Sequence, residues 1–395
     1  MKRIAVVFEE EIFDQKGSFR AKLERCRQLM RQSGFETDVW CIQLRYSWIE
    51  RWLLGKRTLN GVSEVELGCP DTLDFDGVTF RMLWLRYSIL DHFLFFKLRA
   101  RPWFYPAFLR RKARLFEQYD LISAHGFEGA YLAREAEKAY GIPYCVSWHG
   151  SDIHTKPFKY RCIRGLTASL LAGARMNFFV SRALLDKSEE VGPGKKMVLY
   201  NGCDASFRRL PDAERAALRS RNGVPDDMLI IGFAGSLVPV KNAELLPELF
   251  GRIQALSARK MEFWILGDGP LRSVIQRKMQ VPCRFWGNVP MGEMPGLFNA
   301  MDLIVLPSRR EALSLVLIEA VSCGCKAVGS AVGGIPEVLG PEYCVPLGEA
   351  FAERFARKAI QVLGSGEEQK VPGEMSWLAT ARKEIGVYEK ILKEQ

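Results

Sequence analysis

Glu311 and Glu319 are separated by seven residues at the junction of a predicted strand and a predicted helix. The apolar run over residues 303–306 predicts a buried strand, and the run over residues 315–323 predicts a short helix capped by Ser314. The N–H groups in the first turn of such a helix form an anion site. Carboxylates on either side of that positive pole suit a sugar, a diphosphate and a ribose. The alternative is that Glu311 is a solvated loop acid and Glu319 a charge on the helix surface.

A lysine follows another predicted strand at its carboxyl end, where ligands collect in doubly wound sheets. Gly235 and Ser236 come directly after the strand predicted over residues 229–234, and Lys241 follows a few residues later. A cation beside a glycine turn can pair with a diphosphate. Lys241 is therefore a candidate diphosphate ligand, and a solvated lysine that opens a helix is the alternative.

Gly267 and Gly269 follow the strand predicted over residues 262–266. Their run lacks the third glycine of a dinucleotide-binding fingerprint, so it does not support a nicotinamide cofactor. On its own, the run predicts a tight turn that opens a helix.

In the first half, His149 ends the strand predicted over residues 144–148, and Gly150 and Asp152 follow it. Gly150 permits close approach of a backbone, and a histidine can donate to a sugar hydroxyl or a phosphate near neutral pH. A lone histidine is more often structural, but this position at a strand end favours a functional role. His125, at the end of another predicted strand, is a weaker case of the same kind.

The sequence predicts no metal ion and no cofactor. Asp74 and Asp76 form an Asp-x-Asp run, but Gly77 follows and a strand is predicted from Val78, so the pattern indicates a turn. The four histidines and the ten cysteines, which form no Cys-x-x-Cys pair, give no convincing zinc set. Reduced and mostly buried thiols are expected.

Strand-like and helix-like segments alternate along the chain, which predicts βαβ units and parallel sheets. The alternation stops over a polar, charged segment and then restarts. We therefore predict two Rossmann-like domains, residues 1–200 and 226–375, a linker over residues 201–225, and a final amphipathic helix within residues 376–395. The predicted strands cover residues 3–8, 37–42, 78–85, 121–124, 144–148, 177–180, 197–200, 229–234, 262–266, 283–286, 303–306, 326–329 and 344–346.

The 395 residues are enough for two domains, and no apolar run approaches the roughly 18 residues of a membrane-spanning helix. The apolar run at the start is too short for a signal peptide, so a cytoplasmic location is expected. The formal net charge of +10 indicates an anionic partner. Because no nucleic-acid-binding module is present, nucleic acid is not expected.

Much of the positive charge is concentrated in an aromatic segment over residues 93–116. Its part from Lys97 to Phe116 holds seven basic residues and no acid. This composition is typical of a segment that lies on an anionic membrane surface. A helix pair whose aromatic rings face the core and whose cations are solvated explains it equally well.

The run from Asp302 to Glu337 closely resembles the signature of family 4 glycosyltransferases, the group 1 retaining enzymes of the GT-B fold. The resemblance covers essentially all of the second half of the chain and scattered points of the first. Further matching runs lie at residues 233–242, 265–270 and 285–289, with weaker ones at 149–152, 180–181 and 201–204.

The resemblance implies two Rossmann-like domains that face a cleft, with the C-terminal helix crossing back to the first domain. It also implies metal-independent, retaining transfer of a hexose or N-acetylhexosamine from a nucleotide sugar, with UDP as the favoured carrier. A lipid-linked or cell-envelope glycan is the implied acceptor, as in polysaccharide or lipopolysaccharide biosynthesis. The expected location then includes the inner face of the cytoplasmic membrane.

The resemblance also implies residue roles. Glu311 would hold the donor sugar's hydroxyls and Glu319 the ribose hydroxyls. Lys241 and the helix start at Ser314 and Leu315 would neutralise the departing diphosphate. The other residues that it marks are His149 as a catalytic contact, Gly235, Ser236, Gly267, Gly269, Asn288 and Val289 on the donor side, and Gly17, Ser18 and Asp152 on the acceptor side.

Two departures from the family pattern keep open the alternative of a non-catalytic sugar-nucleotide-binding protein. Ser236 stands where family members usually carry arginine, so the diphosphate is one cation short, and Arg272, Arg309 or Arg310 could compensate. Residues 312–314 read Ala-Leu-Ser where many relatives read Gly-Phe-Gly. The other alternative is a different enzyme on the same fold, a sugar-nucleotide epimerase.

Overall fold

The computed structural model describes residues 1–9, 17–45, 70–86, 90, 93–94 and 104–394. Its strands are β1 Arg3–Glu9, β2 Glu36–Arg45, β3 Thr72–Phe75, β4 Val78–Arg86, β5 Leu121–His125, β6 Tyr144–Trp148, β7 Met176–Phe179, β8 Lys196–Val198, β9 Leu229–Ala234, β10 Met261–Leu266, β11 Cys283–Gly287, β12 Leu303–Leu306, β13 Lys326–Ser330 and β14 Cys344–Val345.

The described α-helices are α1 Gly17–Gln32, α2 Phe104–Lys112, α3 Gly126–Tyr140, α4 Ser151–His154, α5 Lys156–Lys159, α6 Arg161–Gly173, α7 Arg182–Glu189, α8 Asp212–Arg221, α9 Leu246–Ala255, α10 Arg272–Lys278, α11 Met294–Ala300, α12 Leu315–Ser322, α13 Ile335–Leu339, α14 Phe351–Gly364 and α15 Trp377–Lys393. In this part of the chain, no helix is both long enough and apolar enough to cross a bilayer.

The chain forms two compact units. The first comprises Met1–Tyr200 and Trp377–Gln395, and the second comprises Asn201–Ser376. The C-terminal helix α15 therefore belongs to the first unit. Every predicted strand is present, with ends that shift by a few residues.

The first unit is built on a sheet of strand order β3-β4-β2-β1-β5-β6-β7-β8. All of its neighbouring strands are parallel except β3 and β4. Every residue of β5 and β6 is buried, as expected for central strands that helices cover on both faces. The parallel sheet inferred from the alternating pattern is thus confirmed, and β3 is a strand that the sequence did not predict.

The turn predicted at Asp76 and Gly77 is confirmed. It joins β3 to β4. Both residues have positive φ angles, 49° and 78°, as a two-residue hairpin turn of type I′ requires. Asp74 accepts a hydrogen bond from Thr79 at 2.5 Å, and Asp76 pairs with Arg27 at 2.5 Å. The Asp-x-Asp run therefore belongs to a β-hairpin.

A buried polar network fixes α15 to the first unit. The Arg25 guanidinium on α1 donates to both Glu384 oxygens, at 3.1 and 2.6 Å, and to Ser147 Oγ at 2.9 Å. The Tyr388 hydroxyl hydrogen-bonds with a Glu384 oxygen at 2.6 Å and with Ser123 Oγ at 2.7 Å. Ser123 and Ser147 lie on β5 and β6, so the helix is tied to the centre of the sheet.

The second unit has strand order β11-β10-β9-β12-β13-β14, and all of its neighbouring strands are parallel. This is the strand order of a doubly wound, dinucleotide-binding type of sheet, in which the order of the strands reverses between β9 and β12. The switch opens a crevice beyond the carboxyl ends of those two strands.

The segment predicted as a linker, residues 201–225, contains α8 and is part of the second unit. Arg215 and Arg219 on this helix pair with Asp302 at 2.6 and 3.0 Å. The same carboxylate accepts the backbone N–H of Ile230 at 2.8 Å. The polar composition that suggested a linker thus reflects a helix held by ion pairs.

Candidate functional site

Glu311 and Lys241 meet in the crevice between β9 and β12. Glu311 lies in the loop after β12, and its side chain is only 8% exposed. Its Oε1 accepts a hydrogen bond from Ser308 Oγ at 3.0 Å and forms an ion pair with Lys241 Nζ. The backbone of the two loops is also joined, because Arg309 N donates to Val240 O at 2.9 Å.

The helix α12 begins beside this pair. Ser314 caps it, with Oγ accepting from Leu317 N at 3.4 Å, so the predicted cap is confirmed. Leu315 is the first residue of the helix, and the N–H groups of its first turn provide partial positive charge. A carboxylate, an ammonium group and a helix N-terminus are thus brought together in one loop cluster.

Glu319 lies on the same helix and is 4% exposed. Its charge faces Cys203, whose pKa is raised first by burial and then by Glu319, while a hydrogen bond with Ser322 opposes the shift. Neither Glu319 nor Glu311 is the solvated surface charge of the alternative interpretation. Glu319 therefore lies close to the 201–204 segment.

The glycines at the ends of β9, β10 and β11 bring three backbones into contact. Gly267 N donates to Gly287 O at 2.7 Å, and a Cβ on Gly267 would lie 2.1 Å from Gly235 O. A Cβ on Gly269 would lie 2.6 Å from Leu237 O. These positions have positive φ angles or no space for a side chain, so glycine is required at this edge of the sheet.

The exposed Asn288 and the half-buried Val289 leave β11 at the same edge, and Ser236 is exposed after β9. The structure separates two of the arginines that could compensate for Ser236. Arg272 pairs with Asp268 at 2.6 Å and lies 3.4 Å from the position of a Cβ on Gly287.

Arg309, in contrast, pairs with Glu244 at 2.8 Å. The backbone carbonyl of Asp268 accepts a hydrogen bond from Leu237 N at 2.9 Å, and Leu237 directly follows Ser236. The pKa of Asp268 is lowered by the hydrogen bond from Gly269 N and then by Arg272. The Arg272–Asp268 pair therefore stands on the segment that contacts the Ser236 loop.

In the first unit, His125 and His149 form a hydrogen-bonded pair at the ends of β5 and β6. His125 Nδ1 lies 3.0 Å from His149 Nε2, and the rings stack 5.3 Å apart with an interplanar angle of 12°. Asp152 accepts from Gly150 N at 2.9 Å and so fixes the loop after β6. From the sequence, His125 was a weaker candidate for a functional role than His149. In the structure the two histidines are hydrogen-bonded partners.

Both histidines have a pKa well below the ordinary value of 6.5. Burial is the main cause, and the positive charges of Lys22 and Arg25 on α1 add to it. Both imidazoles are therefore neutral near neutral pH. Lys22 and Arg25 were not predicted as site residues, because only the folded chain brings α1 to these strand ends.

The remaining predicted acceptor-side residues, Gly17 and Ser18, are the first two residues of α1. Lys16 and the side chain of Ser18 lie outside the described residues. Across the described part of the chain, no group of three or more His, Cys, Asp or Glu side chains could hold a metal ion.

Comparison with known families decides the classification. The family described as "Glycosyl transferases group 1" matches residues 214–376, and "Glycosyl transferase 4-like domain" matches residues 22–202. The chain belongs to the group 1 glycosyltransferases of the GT-B fold. The family and the fold expected from the sequence are thereby confirmed.

Two curated relatives show the level of similarity to other glycosyltransferases. A Bacillus subtilis (strain 168) glycosyltransferase named for teichuronic acid biosynthesis, TuaC, is 28% identical over 247 residues, which are 60% of this chain and 61% of that protein. The D-inositol 3-phosphate glycosyltransferase of Stackebrandtia nassauensis is 30% identical over 241 residues, or 55% and 54%. The matched regions thus span between half and two thirds of these relatives.

Solved structures share the fold over the whole chain. Sucrose-phosphate synthase from Thermosynechococcus elongatus has a TM-score of 0.75 at 16% identity and covers 100% of both chains. Anabaena Alr3699/HepE, solved in complex with UDP and glucose, has a TM-score of 0.67 at 15% identity and covers 100% of this chain and 99% of its own. At this level of identity the similarity establishes the fold.

Proposed function

We propose that the protein is a retaining, metal-independent glycosyltransferase. It moves a hexose or N-acetylhexosamine from a UDP-linked sugar to a lipid-linked or cell-envelope glycan acceptor, in polysaccharide or lipopolysaccharide biosynthesis. The observation that carries the proposal is the cluster of Lys241, Glu311 and the capped start of α12 at the switch point of a doubly wound sheet.

The donor's parts fit the groups of this cluster. Lys241 and the N–H groups at Ser314 and Leu315 face the diphosphate, where they stabilise charge that develops as the glycosidic bond breaks. Glu311 accepts the sugar hydroxyls and Glu319 the ribose hydroxyls. The backbone at Asn288 and Val289 faces the base, and His149 is the catalytic contact to the sugar or a phosphate. UDP as the carrier is supported by the similar Alr3699/HepE, solved with UDP and glucose.

Metal independence rests on the cations that the chain itself supplies. Lys241 and the helix start provide positive charge without a divalent ion. Arg272 is the arginine that we assign as the second cation in place of the family's usual one at Ser236. Its partner Asp268 stands on the segment bonded to the Ser236 loop, whereas Arg309 is turned towards Glu244.

The basic helix α2 suits a protein that works at a lipid surface. Leu109, Ala113 and Phe116 are buried, whereas Arg110, Arg111 and Arg114 are exposed. Leu115 is also exposed, at 40%, so the outward face of this stretch carries an apolar side chain among its cations. Residues 95–103 of the segment lie outside the described part. We propose that the outward cations hold the protein on the inner face of the cytoplasmic membrane.

The test is nucleotide release from a panel of nucleotide sugars, with and without glycan acceptors. Thermal stabilisation first selects the donor, because a ligand that binds the folded state raises apparent stability. Release that depends on an acceptor and persists in EDTA supports the proposal, and the anomeric configuration of the product tests retention. Release of a free sugar or an altered nucleotide without acceptor indicates an epimerase. Binding without release indicates a non-catalytic binding protein.

A further inference from the structure

Glu311 Oε1 has two hydrogen-bond donors in the structure. One is the ammonium group of Lys241, and the other is the hydroxyl of Ser308 at 3.0 Å. The two donors differ in mobility and exposure. Lys241 has a long, flexible side chain that is 28% exposed, whereas Ser308 is fully buried.

Binding of the nucleotide sugar changes the contacts that Lys241 and Glu311 must make. The diphosphate of a nucleotide sugar attracts Lys241 Nζ, which can turn towards it because an ammonium group has three rotatable donors. The carboxylate of Glu311 must then accept hydroxyl groups of the sugar. A carboxylate that loses its cation also loses an orienting contact, so a second donor is needed to keep its oxygens in place.

Ser308, unlike Lys241, is held in place by its backbone. It follows β12, and its carbonyl accepts a hydrogen bond from Ser330 Oγ at the end of the neighbouring strand β13. The backbone of Glu311 is closely packed as well, since a Cβ on Gly333 would lie only 1.6 Å from the Glu311 carbonyl oxygen. With both backbones fixed, the rotation of the Glu311 carboxylate is what the Ser308 hydroxyl controls.

We propose that Ser308 is a positioning residue, which keeps the Glu311 carboxylate aimed at the donor's sugar when Lys241 engages the diphosphate. The inference rests on the proposed function and deepens it. Ser308 touches no substrate itself; it acts through Glu311. Its hydroxyl occupies one lone pair of Oε1 and leaves Oε2 for the sugar.

The experiment compares the dissociation constants of UDP and of the matching UDP-sugar by calorimetry. Their ratio isolates the contribution of the sugar, since the nucleotide and the diphosphate are common to both ligands. For Ser308→Ala we expect the UDP constant to stay within about threefold of wild type. The affinity for the UDP-sugar should fall about tenfold or more, as for loss of a hydrogen bond to a charged group.

A double-mutant cycle separates positioning from general structural damage. If Ser308 acts through Glu311, adding Ser308→Ala to Glu311→Ala should change the ratio no further. The matched control is Ser188→Ala in the first unit, which removes an equally buried hydroxyl that donates to Leu185 O at 2.6 Å. This control should leave the ratio unchanged.

Two results would overturn the inference while the proposed function stands. One is a wild-type ratio retained by Ser308→Ala, and the other is a loss in the double variant that adds to that of Glu311→Ala. A wild-type protein that binds neither UDP nor any UDP-, GDP- or ADP-sugar would instead overturn the proposed function, and the inference with it. Unchanged UDP binding by Ser308→Ala shows that the variant is folded.

Discussion

Glu311 and Glu319 both carry carboxylates that are shielded from solvent, on either side of the start of α12. We expect Glu311→Ala and Glu319→Ala each to lower transfer by about a hundredfold or more, because each removes a charged acceptor of substrate hydroxyls. The measurement is the initial rate of transfer with the selected donor, alongside circular dichroism to confirm the fold.

Glu349 provides the control for this pair. It is an exposed glutamate in the same unit, and Glu349→Ala should leave the rate within about twofold of wild type. Near-wild-type turnover in either site variant would show that the corresponding carboxylate has no part in the reaction.

Arg272 is the residue on which the missing cation at Ser236 can be tested. We expect Arg272→Gln to weaken UDP binding about tenfold and to leave uridine binding unchanged, because charge-assisted hydrogen bonds to phosphate would be lost. Arg357→Gln is the matched control, since Arg357 forms an i,i+4 pair with Glu353 at 2.5 Å, as Arg272 does with Asp268 at 2.6 Å. Equal UDP binding by Arg272→Gln and wild type would assign the second cation to another residue.

At the scale of elements, α15 is held by a charge pair that is shielded from water. The side chains of Arg25 and Glu384 are 2% and 4% exposed. Glu384→Ala leaves a buried guanidinium without its partner, and we expect a loss of about 3–5 kcal/mol in the free energy of unfolding. Urea denaturation measures this loss.

Glu389 on the same helix is exposed, so Glu389→Ala should cost less than about 0.5 kcal/mol. If the two variants unfolded at the same urea concentration, the buried pair would contribute nothing to the attachment of α15.

The two histidines at the ends of β5 and β6 make the stability of the protein depend on pH. His125 and His149 are neutral in the folded state because their pKa lies well below 6.5, whereas the unfolded chain binds protons at about that pH. Below pH 6.5 the unfolded state therefore holds more protons, and stability falls as the pH decreases. The slope is up to about 1.4 kcal/mol per pH unit for each histidine.

Urea denaturation at a series of pH values between about 6.5 and 5.5 measures this slope. His149→Asn removes one of the two titrating rings and should flatten it. The Lys22 and Arg25 charges and the Asp152 carboxylate are kept in that variant. A free energy of unfolding that does not change over this range would contradict the neutral pair.

The parallel strands were predictable because buried strands with helices on both faces are apolar runs bounded by turn residues. β3 was missed for the opposite reason: Thr72–Phe75 is short and alternates between exposed and half-buried positions. Helix α8 was mistaken for a linker, since ion pairs to Asp302 rather than an apolar stripe hold it.

Part of the candidate site was likewise predictable from the sequence, and part was not. Glu311, Lys241 and Ser314 follow strand ends or begin a helix, so their neighbourhood could be inferred from local patterns. The contact of Ser308 with Glu311 depends on side-chain direction within a loop. The pairing of His125 with His149 depends on the register of β5 and β6, which local patterns do not specify.

For the molecule as a whole, the net charge of +10 leaves open whether an anionic surface attracts the entire protein or one patch. The four basic residues at the end of α2 and just after it allow a decision between these cases. Arg110 pairs with Glu135 at 3.1 Å but remains exposed, and Arg111 and Arg114 are exposed beside it. The half-buried Lys112 completes the patch.

We expect replacement of Arg110, Arg111, Lys112 and Arg114 by glutamine to weaken binding to vesicles of anionic lipid by about a hundredfold or more. Each cation near such a surface contributes about 1 kcal/mol. The affinity of the wild type should also fall as salt is added, since the field decays within a Debye length of about 10 Å at 0.1 M salt. Turnover on a soluble acceptor analogue should be unchanged, because none of these residues belongs to the donor cluster.

A variant with the same net charge tests whether the position of these cations matters. Four exposed basic residues on α15 serve this purpose: Arg382, Lys383, Lys390 and Lys393. Their replacement by glutamine changes the total charge equally, so a purely global attraction would weaken vesicle binding to the same extent. Binding that is lost only in the α2 variant locates the membrane contact at α2. Equal binding by the α2 variant and wild type at low salt would make this surface a solvated helix face.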